Sequence, residues 1–242
     1  MLRSADFPVN RNSTIQLNAY LATALTGLNE TERIRVFEIS DAVASACRRA
    51  GIELYEPRNS TDPVHHANIS DADVFRFDLQ KVSAADLLLY VADFPSTGAG
   101  QELIIAGNSM VPIVGVAHES LKVSRMVTGM PGDFTLMRYS SIRGIGLFLG
   151  EKLHSMRPAL ERRKKALAEY GENRIGARAE SIRLSRDMTY EDVAAAFRIP
   201  NAVSAHQIEQ FEKSADFQNN LSVFFLRELA AALDVSIVDL LQ

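Results

Sequence analysis

The sequence predicts an α/β fold, a mostly parallel sheet with helices on both faces, followed by a small all-α domain. Three observations predict it. Strand-like and helix-like stretches alternate from residue 14 to residue 153. The inner strands, Leu87–Ala92 and Val111–Val116, are continuous apolar runs, as expected of strands buried on both faces. Beyond residue 179 only short helical stretches remain.

Composition sets the outer bounds. The 242 residues suffice for one large domain or two small ones, and 47% hydrophobic with 23% charged residues is ordinary for a globular protein. No apolar run is long enough to span a bilayer, and Met1–Pro8 lacks the basic start and apolar core of a signal peptide. The single cysteine, Cys47, has no intrachain partner and reads as a small core residue. These features lead to the expectation of a cytoplasmic protein. A net charge of −4 gives no global attraction to nucleic acid, so any DNA contact must come from a local patch.

In chain order, Met1–Ser13 is polar and reads as loose, and Thr14–Ala22 alternates as a first strand. Asn29 or Thr31 caps a helix through Ile34, Phe37, Ile39, Val43 and Cys47, which Gly51 stops. Ile52–Tyr55 is a second strand, and the segment 56–69 is polar, with Pro57, Pro63 and the pair His65–His66. No Cys or carboxylate cluster completes a metal shell around those histidines, so they read as solvated or substrate-facing. Asp71–Ser83 reads as a helix, Leu87–Ala92 as the central strand and Val111–Val116 as another. Leu121–Thr128 is helix or loop, Phe134–Tyr139 a short strand and Ser141–Leu153 a closing helix.

Chemistry concentrates after the central strand, where Pro95–Ser96–Thr97–Gly98–Ala99–Gly100 forms a turn and Gln101–Glu102–Leu103 opens a helix. Open α/β sheets bind ligands at the carboxyl ends of their strands. A helix N-terminus offers free N–H groups and a positive dipole end, suited to an anion such as phosphate. Glu102 lies within reach of that place, or is simply a first-turn Glu that favours the dipole. Asp78 reads as a solvated helix carboxylate or an acid, Tyr20 as a half-buried strand residue or a site residue, and Asp93 as a strand terminator or a base-binding carboxylate. Ser96 and Ser124 also read as plain turn or cap residues.

Several separated pieces, in order, resemble the nucleoside 2-deoxyribosyltransferase superfamily, and within it the 2′-deoxynucleoside 5′-phosphate N-hydrolases. They are Tyr20 at the end of the first strand, Phe77–Asp78–Leu79, Ala85–Asp86, the turn Pro95–Leu103 (a P-S-x-G-x-G-x-E-L pattern) and Ser124–Gly129. The loop after Tyr20, Leu–Ala–Thr–Ala–Leu–Thr, departs from the hydrolase branch by lacking its phosphate-facing Gly–Ser–Ile–Arg. The resemblance implies a flavodoxin-like or Rossmann-like domain over 1–153 that cleaves an N-glycosidic bond, with no cofactor and no metal. It implies Glu102 as nucleophile, Asp78 as general acid or base-orienting group, and Tyr20 holding Glu102 or the sugar. Ser96, Thr97, Gly98 and Gly100 would bind the 5′ group, with Asp93 a further substrate contact. Ser124 and Met126 would reach a neighbour's site in a homodimer.

The segment 154–178 changes character: Arg157, Arg162, Arg163, Lys164 and Lys165 crowd a helix over Pro158–Tyr170, followed by Gly171–Gly176. It reads as a basic helical linker, its charges facing solvent or phosphate. Residues 179–242 resemble the lambda-repressor/Cro-like (XRE) helix-turn-helix family. The resemblance rests on Arg183–Leu–Ser–Arg186, Thr189–x–Glu191–x–Val–Ala, Val203–Ser–x–x–x–Ile208–x–x–Phe–Glu212 and the closing Leu–Ala–x–x–Leu–x–Val. It implies a recognition helix headed by Ser204, His206, Gln207 and Gln210, with Arg183, Arg186 and Lys213 on phosphates of double-stranded DNA. Two functions follow as expectations: an N-glycosidase or transferase tethered to DNA, or a transcription regulator whose α/β domain senses a nucleoside or nucleotide.

Overall fold

A computed structural model describes residues 15–169, 174–213 and 222–241. The expected loose N-terminus, the glycine-containing connector at Tyr170–Asn173 and the start of the penultimate helix at Leu221 lie outside the described residues. The chain divides into two compact units, 1–166 and 167–242.

The first unit is a five-stranded parallel sheet of order β2-β1-β3-β4-β5. Its strands are β1 (Leu17–Ala22), β2 (Ile52–Tyr55), β3 (Leu87–Val91), β4 (Ile113–His118) and β5 (Phe134–Tyr139). The helices are α1 (Glu30–Ala50), α2 (Asp71–Ser83), α3 (Thr97–Asn108), α4 (Arg125–Thr128) and α5 (Ile142–Glu169). The α/β class is therefore as the apolar runs require. One face packs α1 and α5 through Val43, Cys47, Ile145, Leu149 and Leu153; the other packs α2 and α3 through Val82, Leu103 and Ala106.

Local chemistry accounts for the boundaries. Asn29 and Glu32 form a capping box at the start of α1, and Gly51 ends it at φ 65°, a left-handed conformation that suits glycine. Ser70 caps α2 by accepting from the Asp73 N–H. Tyr20 pairs in register with Leu88 across β1 and β3, which fixes its height in the sheet. The order reverses between β1 and β3, so a crevice opens beyond their carboxyl ends, where the loops leading to α1 and α3 diverge.

Two expectations are corrected here. α3 begins at Thr97, so the glycine-rich stretch is its first turn rather than a turn before it. The expected linker also begins too early, because residues 154–166 belong to the first unit. α5 runs unbroken through Pro158, and Leu153 and Leu160 are both in the core. An interior proline costs about 3 kcal/mol. Core contacts and basic side chains that reach the sheet hold the helix together. The Arg157 guanidinium donates to the carbonyls of Ala50, Gly51 and Ile15, and Arg163 to those of Ser109 and Met110. Lys164 Nζ lies 2.8 Å from Asp86 Oδ2, which also accepts from the Asn18 N–H. Three members of the basic run are thus anchors, while Arg162 and Lys165 face solvent.

The second unit is all-α: α6 (Arg174–Ser185), α7 (Tyr190–Ala195), α8 (Ala205–Lys213), α9 (Val223–Ala232) and α10 (Ile237–Leu241). Its core gathers Val193, Phe197, Ile208, Phe211, Leu229 and Leu233. Thr189 caps α7 in a capping box with Asp192. Ser204 and Gln207 exchange the same pair of bonds at the start of α8.

Candidate active site

Tyr20 stands at the carboxyl end of β1, is fully buried, and its hydroxyl donates to Glu102 Oε1 at 2.8 Å. Glu102 arrives from the second turn of α3, and Asp78 from the middle of α2, which packs beside α3. The three residues expected to carry the chemistry, far apart in sequence, therefore meet at the crevice.

Two adjoining cavities, of 460 and 390 Å³, open over this group. Glu102, Asp78, Gly98, Thr26 and Thr61 line both. Three buried side-chain oxygens on these walls have no hydrogen-bond partner: Glu102 Oε2, Asp78 Oδ1 and Thr23 Oγ1. An unpaired buried oxygen costs about 1–3 kcal/mol, so such groups in a folded protein call for an explanation. All three residues line the smaller cavity.

Electrostatics agree. Burial raises the Glu102 carboxyl to about 8; the Tyr20 hydroxyl opposes the rise and the charge of Asp78 adds to it. Burial also raises Asp78, again opposed by the Tyr20 hydroxyl. Tyr20 is held far above the ordinary phenol range, first by burial and then by Glu102 and Asp78, so it stays a neutral donor. Burial opposes ionisation of both acids and the charge of Asp78 further opposes that of Glu102, so the two titrate as a coupled pair. Tyr55 stacks on Tyr20 at 5.5 Å between ring centroids and closes the group on the β2 side.

The solved structures similar to this chain include a CMP N-glycosidase from Clostridium botulinum, at 15% identity and a TM-score of 0.41, covering 55% of this chain and 95% of that one. A 2-deoxyribosyltransferase from Bacillus psychrosaccharolyticus follows at 19% identity and 0.42, covering 54% and 90%. A conserved protein from Enterococcus faecalis V583 stands at 16% and 0.40, covering 57% and 99%. No family model matches the chain, and no curated protein does.

The remaining expected residues divide. Thr97 and Gly98 line the cavity at the N-terminus of α3, whose first amides point outward. Ser96 lines it too, but its hydroxyl accepts from the Ala99 N–H as a helix cap. Gly100 is corrected as an amide donor to the 5′ group, since its N–H is spent on the Ser96 carbonyl. Asp93 is corrected as a substrate contact: one oxygen accepts the Tyr139 hydroxyl at 2.6 Å and the other the His118 N–H at 3.1 Å, joining the ends of β3, β4 and β5. Ser124 caps α4, and Met126 is 82% exposed; neither lines the cavity of its own chain.

Of the loop 57–69 the sequence offered only His65–His66, as solvated or substrate-facing, and not Thr61 or Pro63. Pro63 and Thr61 line both cavities and His66 lines one. Asp62, fully buried, pins that loop by pairing with Arg33 of α1 and accepting from the Val64 N–H at 2.8 Å. An Asp between Thr61 and Pro63 was the available signal, because aspartate favours such local turns.

In the second unit Ser204, His206, Gln207 and Gln210 are exposed on α8, with Gln207 Oε1 engaged in the helix cap. Arg183 is corrected as a phosphate contact. It is only 6% exposed, pairs with buried Glu212 through bonds of 2.8–3.1 Å, and lies 4.1 Å from the Tyr190 ring centre. Arg186 pairs with Asp234, and Lys213 with Glu209. Residues 179–242 hold ten Asp and Glu against five Lys and Arg.

Proposed function

We propose that the chain cleaves the N-glycosidic bond of a nucleoside or nucleotide, releasing the base to water or transferring the sugar to a second base. One observation carries the reading: Glu102 Oε2 and Asp78 Oδ1 are both buried, unpartnered and on the wall of one cavity, while Tyr20 grips the other oxygen of Glu102.

The geometry suits divided labour. Tyr20 fixes the Glu102 carboxylate so that Oε2 is the oxygen free to attack the anomeric carbon. Asp78, holding the shared proton, delivers it to the departing base. The C–N bond breaks with its electron pair going to the base, and a C–O bond to Glu102 forms. Water, or the N–H nitrogen of another base, then attacks the same carbon and gives its proton to Asp78, while the C–O bond to Glu102 breaks and returns Glu102 as a carboxylate. Ser124 and Met126 enter this proposal only through a second copy of the chain. An active monomer in sedimentation experiments would remove them.

The test is release of free base from a panel of 2′-deoxynucleosides, ribonucleosides and their 5′-monophosphates, followed by chromatography. Wild-type protein releases base from at least one, and Glu102→Gln reduces that rate by at least 10³-fold while keeping the fold. Equal rates for the two proteins reject the reading.

A further inference from the structure

One wall of the site is built from a segment with few apolar anchors of its own. Of residues 57–69 only Pro57, Thr61 and Asp62 are buried, while Pro63, Val64, His65, Ala67 and Asn68 are exposed. Yet Thr61 and Pro63 line both cavities, and His66, Ala67 and Ile69 line the larger. A segment so exposed opens easily unless polar contacts hold it.

Those contacts come from α1. Arg33, Phe37 and Asp41 recur at every fourth position, so they share one face of that helix. The loop answers each charge with its opposite: Asp62 pairs with Arg33, and Arg58 pairs with Asp41 at 2.6 Å. The guanidinium groups of Arg33 and Arg58 lie 4.7 and 5.2 Å from the centre of the Phe37 ring. The helix is a firm base, since its Val36, Ile39, Val43 and Cys47 are buried.

Asp62 gathers the loop. One carboxylate oxygen accepts from Arg33 and the other from the Val64 N–H, and its carbonyl accepts from the N–H groups of His65 and His66. Its neighbours in sequence are the wall residues Thr61 and Pro63. The Asp62 side chain is fully buried. Without Arg33 its carboxylate lacks a counter-charge and is driven toward water, and Thr61 and Pro63 move with it. Neither Arg33 nor Asp62 lines a cavity.

We infer that Arg33 is a positioning residue of the site: through Asp62 it holds the 57–69 wall in place, and so sets the affinity for what enters the cavity without touching it. The inference rests on the proposed function for the reaction that reads it out. Tyr20, Asp78 and Glu102 stand on β1, α2 and α3 rather than on the loop, so loss of Arg33 weakens substrate binding and leaves the chemical step nearly unchanged.

The experiment measures base release by the full-length protein from the nucleoside or nucleotide that the wild type cleaves fastest. Arg33→Ala is expected to raise KM by about tenfold or more with kcat within about threefold of wild type. Arg33→Lys, which keeps the charge opposite Asp62, recovers most of the rise. A purely structural role lowers the folded fraction instead, so kcat falls at unchanged KM; that result, or an unchanged KM and kcat, overturns the inference and leaves the N-glycosidase reading intact. Should Arg33→Ala not fold, Arg33→Gln takes its place, and a wild-type KM in it overturns the inference. Should no substrate release base, the N-glycosidase reading fails, and hydrogen exchange on wild type and Arg33→Ala decides the inference. Faster exchange confined to the amides of 57–69 supports it; unchanged exchange there, or equal acceleration in β1 and α3, overturns it.

Discussion

Tyr20 spends a fully buried hydroxyl on one oxygen of Glu102, and that bond aims the carboxylate and opposes the rise in its pKa that burial causes. The donor favours the charged form of Glu102, so its removal raises an already elevated pKa. With one proton shared by Glu102 and Asp78, the productive state has the proton on Asp78. Burial raises the Glu102 carboxyl to about 8, so the last proton of the pair is lost as pH rises through that value. Base release by the wild type therefore falls above that pH. In Tyr20→Phe the alkaline limb of kcat/KM moves to higher pH, because the pair holds its last proton more tightly. The maximum falls about 10–100-fold, because the proton shifts onto Glu102 and the free oxygen loses its orientation. A pH–rate profile of both proteins checks this; a lower maximum with an unmoved limb would leave Tyr20 a packing residue. The residues alone left Tyr20 and Asp78 open between structural and site readings, and only the resemblance carried by the separated motifs joined them to Glu102. The resemblance left open whether Tyr20 holds Glu102 or the sugar, and the register of β1 against β3 places its hydroxyl on Glu102.

Elements read well where their ends carry their own chemistry and poorly where tertiary contacts decide. α1, capped at Asn29 and stopped at Gly51, matches expectation at both ends. α3 starts four residues early because Ser96 caps it, and α5 passes Pro158 because Leu160 is buried and Arg157 and Lys164 reach the sheet. α6 and α8 present the sharpest case. Arg183 of α6 and Glu212 of α8 form a buried pair with Tyr190 of α7 against the guanidinium, so a residue that looks like a phosphate contact is an internal brace. Its position beside other arginines gives no hint of that burial. Removing one partner strands a buried charge and costs about 3–5 kcal/mol, whereas replacing both with apolar side chains is often neutral. Arg183→Ala accordingly melts the all-α unit well below wild type, and Arg183→Met with Glu212→Leu recovers most of the loss. Circular dichroism melts of the three full-length proteins, with hydrogen exchange on α6 and α8, check it. A single variant as stable as wild type would show that the pair is not a brace.

Across the whole molecule, charge is unevenly placed, and its distribution bears on the DNA expectation. The region 179–242 has twice as many acids as bases, against a chain total of −4. Of the three cations expected at phosphates, Arg183 is buried, and Arg186 and Lys213 lie against Asp234 and Glu209. The exposed side chains of α8 remain compatible with base edges, but base contacts do not substitute for phosphate neutralisation, which supplies essentially all non-specific affinity. Each phosphate contact steepens the fall of affinity with salt, so a protein that makes few of them shows a shallow slope. The full chain is therefore expected to bind random duplex DNA more weakly than about 10⁻⁴ M at physiological salt. Fluorescence anisotropy on a labelled duplex across 50–200 mM salt checks this. A Kd tighter than 10⁻⁵ M with a steep slope would mean that Arg186 and Lys213 leave their acidic partners for phosphates on binding. Weak binding with a flat slope would confine any contact to α8 and require a specific site, so a selection from random sequences would then recover either one enriched motif or none.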